Sequence, residues 1–80
     1  MALSARERLE EFLMMGLRLT EGILRARFRT EIGVDVIAAL GAQKLDDLIG
    51  GGFLALDEHR LVATAAGRQR LNAVLARLLA

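Results

Sequence analysis

The stretch from Gly50 to Arg68 limits what this chain can fold into more than any other part of it. Gly50, Gly51 and Gly52 stand in a row, and such a run ends a helix because Gly enters left-handed backbone without a Cβ penalty. Two short apolar runs follow, Phe53 to Leu56 and Leu61 to Ala63, parted by Asp57, Glu58, His59 and Arg60. That pattern predicts a β-hairpin with a charged tip. Thr64 then falls where a helix N-cap belongs, ahead of a strongly amphipathic segment.

Upstream of the glycines the period is helical. Ser4 and Glu7 form a capping box, and Leu9, Phe12, Leu13, Leu17 and Leu19 predict a first helix over Ala5 to Leu19. Met14 and Met15 widen its apolar face beyond one stripe. Thr20-Glu21-Gly22 reads as a turn. A second helix is predicted over Ile23 to Ile32, with Leu24, Phe28 and Ile32 inward and Arg25, Arg27 and Arg29 outward. Gly33 stops it and Val34 bridges to a short helical turn over Val36 to Leu40, capped by Asp35. After Gly41, Ala42 to Ile49 forms a further helix with Leu45, Leu48 and Ile49 inward. The last helix, Ala65 to Leu79, carries Leu71, Val74, Leu75, Leu78 and Leu79 at core-facing spacing. The fold class is therefore mostly α with a small β-hairpin, winged-helix-like in the order α-α-α-β-β-α. Chains of that order serve as DNA readers, as protein-docking modules and as accessory domains of enzymes.

At 80 residues, the chain reads as one domain over 1–80 whose own core is thin, since small domains bury a smaller share of their surface. Yet 54% of its residues are hydrophobic and its mean hydropathy is +0.37. That excess implies apolar surface left for a neighbour, so the chain is expected to be a piece of a larger protein or one half of an oligomer. No apolar run reaches the ~20 residues that span a bilayer. Met1 to Arg6 lacks the apolar core of a leader peptide. There is no cysteine, hence no disulfide framework or thiolate site; a cytoplasmic setting fits.

No constellation of residues points to catalysis. His59, the one histidine, belongs to a solvated hairpin tip. Glu10-Glu11 and Asp46-Asp47 are adjacent on helices, where neighbours point about 100° apart and do not converge on a proton or metal. Asp57-Glu58 belongs to the turn. The glycine run lacks the Lys-Ser/Thr of a phosphate-binding loop and leads into a strand. No catalytic, cofactor-binding or metal-binding residue is assigned, and this chain alone is not expected to be an enzyme. A small winged-helix DNA-binding transcriptional regulator is the alternative that the fold suggests. A DNA reader presents basic and amide side chains on its recognition helix. Here the outward face of Ala42 to Ile49 offers Gln43, Lys44, Asp46 and Asp47, a net of −1. The hairpin tip is also net −1, and both face a backbone with one charge every ~1.7 Å. Nucleic acid is not an expected partner.

Two motifs carry the reading beyond fold class. Glu11-Phe12-Leu13-Met14-Met15-Gly16-Leu17-Arg18-Leu19-Thr20-Glu21-Gly22-Ile23 resembles the E-x-L-M-x-G-L-R-L-x-E-G-[IL] segment of the C-terminal, HemN-type domain of oxygen-independent coproporphyrinogen III oxidase-like radical SAM proteins. That family includes the haem chaperone HemW. Gly52-Phe53-Leu54, Arg60 to Arg68 and Asn72-Ala73-Val74-Leu75 resemble its closing pattern, G-[FL]-L, R-L-x-L-T-x-x-G-R and N-x-V-L. The likeness runs roughly from Leu9 to Ala80. Ala63-Thr64-Ala65 departs from the common Leu-Thr-Pro, losing a favoured helix-start residue but not the cap.

The resemblance implies a parent whose N-terminal radical SAM barrel holds a [4Fe–4S] cluster and S-adenosylmethionine through Cys-x₃-Cys-x₂-Cys. The implied chemistry is oxidative decarboxylation of coproporphyrinogen III, or haem handling in the chaperone branch. This chain would be the non-catalytic C-terminal module, packing on the barrel and helping to shape or cover the porphyrin site. The candidate barrel-docking surface is Met14, Met15, Arg18, Leu19, Glu21 and Gly22, with Arg18 and Glu21 pairing across the helix end. Two other readings of the methionines stay open: that both fill this domain's own core, or that the chain self-associates through helix one.

Overall fold

The first helix, α1 (Ala5–Gly16), starts where its cap was expected, with the Ser4 hydroxyl accepting from the Glu7 amide at 3.1 Å. The computed structural model describes residues 4–80; Met1 to Leu3, part of the stretch read for a leader, lie outside the described residues. A two-residue strand, β1 (Ile23–Leu24), precedes α2 (Arg25–Ile32), α3 (Val36–Leu40) and α4 (Ala42–Gly50). The hairpin strands β2 (Leu54–Leu56) and β3 (Arg60–Ala63) follow, then α5 (Ala65–Gln69) and α6 (Leu71–Leu78). The fold is mostly helical with a small antiparallel sheet, as the sequence predicts. No helix is long and apolar enough to cross a membrane among the described residues.

Three boundaries differ from expectation, each because packing overrides helical period. Helix one ends at Gly16 rather than Leu19, because the chain turns back there and brings the Ile23 side chain over Gly16. Ile23 and Leu24 do not open helix two. They form a third strand on β3, in the sheet order β1-β3-β2, with Ile23 opposite Leu61 and Leu24 opposite Arg60. The last helix is broken at Arg70 (φ −120°, ψ 36°). Thr64 ties α5 to the base of the hairpin, accepting from Gly67 N at 3.1 Å and donating to Gly52 O at 2.6 Å. The α6 stripe instead packs on α1 and α4. One straight helix does not satisfy both anchors.

The core joins every layer. Phe28, Leu13, Leu17, Leu45, Leu61, Val36 and Val74 are sealed from solvent, and Phe12 meets Phe28 edge to face with centroids 5.7 Å apart. Leu75 and Leu78 complete the contribution of α6. At the hairpin tip, Asp57 Oδ1 accepts from both His59 N and Arg60 N at 2.7 Å. Those amides hold the Asp57 carboxyl below the ordinary carboxylate range, and His59 is exposed.

Candidate functional site

The sequence of α1 carries two apolar stripes. Leu9, Leu13 and Leu17, at i, i+4, i+8, point to the core, where Leu13 and Leu17 are fully buried. Phe12, Met15 and Gly16 recur at i, i+3, i+4 and form a second stripe beside it, which Leu19 extends in the turn past the helix end. Phe12 is half-buried against Phe28, but Met15 and Leu19 have no cover, and the stripe lines an open groove of about 650 Å³. The turn after α1 adds Glu21 and Gly22, β1 adds Ile23 and Leu24, and Arg27 of α2 and Arg60 of β3 stand at its edge.

Two glycines make the groove possible. At Gly16 a Cβ would fall inside the Ile23 side chain, so only glycine lets β1 lie against the end of α1. Gly22 has φ +70°, and a Cβ there would collide with Val62 Cγ1 and the Leu61 carbonyl. Its left-handed conformation turns the chain into β1, with Gly22 N donating to Leu19 O at 3.0 Å.

The residues singled out from sequence are only partly gathered here. Met15 (72% exposed), Leu19 (50%), Glu21 and Gly22 line the groove. Met14 (43% exposed) lies on α1 outside the lining, as does the exposed Arg18. Neither methionine fills the core, which corrects that alternative. Both face solvent because Leu9, Leu13 and Leu17 already occupy the buried side of the helix. The expected Arg18–Glu21 pair is also absent from the ion pairs among the described residues. With the helix finished at Gly16, residues 18 and 21 no longer share a helical face. Arg60 reaches this turn instead, its Nη1 donating to the Glu21 carbonyl at 3.1 Å.

The sequence pattern did not single out Phe12, Gly16, Ile23, Leu24, Arg27 and Arg60 as groove residues. Phe12 was legible as the start of the i, i+3, i+4 series. Arg60 was not, because it arrives through the pairing of β3 with a strand that helical period hid.

Arg25, expected to point outward, is also placed differently. Its guanidinium donates to both Asp35 oxygens (3.2 and 2.7 Å) and to the Asp57 carbonyl at 2.8 Å. The Arg25 hydrogen bonds hold the Asp35 carboxyl below its usual range, aided by the amides of α3. In return Asp35 raises the pKa of Arg25 further. One side chain thus links the α3 N-cap to the hairpin tip, while the Arg25 amide donates to His59 O at 2.7 Å. This clamp fixes β1 and α2 against the hairpin, and with them the groove wall.

A family model described as the HemN C-terminal domain matches residues 3–70. This chain belongs to that family. The match takes in the whole groove-forming segment and the hairpin, and ends at the break before α6, so Asn72 to Leu75 lie beyond it. No curated protein and no solved structure matches the chain.

A HemN-type domain implies a partner domain on its N-terminal side, and the HemN parents are radical SAM enzymes. The cluster of such an enzyme needs cysteine thiolates, and this chain has none. Its residues therefore do not fit that group, and no chemical step is assigned to them.

Proposed function

We propose that this chain is the non-catalytic C-terminal module of a cytoplasmic, oxygen-independent coproporphyrinogen III oxidase-like protein. It packs on the radical SAM barrel of the same polypeptide and helps to shape or cover the porphyrin site. The cluster and S-adenosylmethionine belong to the barrel. What supports this reading is the uncovered pair Met15 and Leu19, at the end of α1 and in the turn after it, in a domain of the HemN C-terminal family. Apolar side chains gathered at a groove gain free energy when a partner removes them from water, at about 25 cal/mol per Å². Met suits such a surface because it adapts to irregular neighbours.

The electrostatics of the alternative DNA-facing surfaces are unfavourable. On the outer side of α4, Asp47 is tied to Arg77 at 2.6 Å and to Gln43 at 2.9 Å. Those bonds hold its carboxyl below the usual range. The hairpin tip carries Asp57 and Glu58.

The test is a titration of the chain with its radical SAM barrel supplied in trans, alongside duplex DNA. Wild type binds the barrel, and Met15→Asp with Leu19→Asp abolishes binding without altering the far-ultraviolet circular dichroism. Submicromolar, steeply salt-dependent binding to duplex DNA, with none to the barrel, refutes the proposal.

A further inference from the structure

The groove is apolar along its length but its edge is not neutral. Arg27 and Arg60 line it together with a single carboxylate, Glu21. Arg27 makes no hydrogen bond or ion pair through its side chain among the described residues, and Arg60 reaches only the Glu21 backbone carbonyl. Leu24 brings the two cations together. Arg60 is its register partner across the strands, and Arg27 lies one helical turn beyond it.

An occupant of this groove brings its own edge against those guanidiniums, and a cation partly stripped of water is stabilised when a carboxylate pairs with it. A second copy of the chain meets that need poorly. In a two-fold interface the same patch faces itself, so each copy brings one carboxylate, Glu21, for two arginines.

We propose that the occupant is an apolar segment of the barrel edged by Asp or Glu side chains that pair with Arg27 and Arg60. This rests on the docking reading above and adds the chemistry of the partner. Arg's planar fork suits such carboxylates, because it donates in bidentate fashion. The complex is held by an apolar centre and registered by charge at its edge, so its affinity falls with salt while the apolar contribution does not.

The experiment titrates the 80-residue chain with the purified barrel at low and high sodium chloride, using Arg27→Glu, Arg60→Gln, Met15→Asp and Arg70→Glu. Arg70 is exposed at the α5–α6 break, away from the groove. Expected are about tenfold weaker binding for Arg27→Glu, loss of most salt dependence in Arg27→Glu and Arg60→Gln, and no change for Arg70→Glu. Circular dichroism confirms that each variant is folded. Should both arginine variants bind with wild-type affinity and salt slope while Met15→Asp is impaired, docking stands and the acidic partner is refuted. Should Met15→Asp also bind normally, the docking reading fails and this inference with it. Concentration-dependent dimerisation of the chain that is lost in Met15→Asp, with no binding to the barrel, assigns the groove to a second copy and overturns the proposal.

Discussion

Helices α1 and α6 are both amphipathic, and they end in opposite circumstances. The stripe of α6 is covered by the chain itself: Val74, Leu75 and Leu78 are all buried against α1 and α4. Helix α1 gives one stripe to the core and leaves a second, with Met15 at 72% exposure, open to solvent. Amphipathicity alone does not separate the two. A helix with one stripe has a single neighbour to find, whereas a helix with two has a neighbour left over. The contrast locates the unfinished surface of the domain on α1 and the turn that follows it.

The sharpest way to break this contrast is to truncate one side chain from each helix. Leu78→Ala removes a buried side chain and leaves a cavity, so it costs about 2–5 kcal/mol in urea unfolding. Met15→Ala stays within about 0.5 kcal/mol of wild type, as an exposed position should. Equal losses at the two positions would show that α1 has no spare face.

A smaller effect tests the floor of the groove. Gly16→Ala places a methyl group inside the Ile23 side chain, and such overpacking costs about 1–3 kcal/mol. Helix propensity alone would have Ala stabilise this position by up to about 1 kcal/mol. The sign of the change measured by thermal denaturation therefore decides whether β1 really lies on α1.

The smallest effect concerns the clamp behind the groove wall. Asp35→Ala removes the α3 cap and the Arg25 partner and costs about 1 kcal/mol. The folded Asp35 has a depressed pKa, so its contribution is present above the unfolded carboxylate value of about 3.9. It is lost as pH falls below that value, through the folded pKa. The gap between wild type and Asp35→Ala is expected to be constant from neutral pH to about pH 5 and to narrow in stronger acid. A gap that widens on acidification contradicts the Arg25–Asp35 assignment.

Much of this molecule was legible beforehand, for reasons that are local. Ser4, Asp35 and Thr64 each cap the helix expected of them, because a cap depends on residues within one turn. Asp57, Glu58 and His59 of the charged quartet do form the hairpin tip while Arg60 opens β3, and Gly33 ends α2 with φ +100°. What was misread depended on distant partners. Ile23 and Leu24 fit a helical pattern and became a strand because β3 offered an unpaired edge. Arg25 fits an outward stripe yet is drawn inward by Asp35 and the Asp57 carbonyl.

By itself, then, the order of residues specified most of the helices, the hairpin, the side-chain caps, the mostly helical class and a surplus of apolar side chains, since periodicity and capping act over a few residues. Only the tertiary structure decided where that surplus lies. Leu17 is buried while Leu19, two residues on, is half exposed, because the chain turns at Gly16 and lays β1 across the end of α1. It likewise took the folded sheet to bring Arg60 beside Leu24 and set a cation at the groove's edge, a juxtaposition that no local pattern encodes.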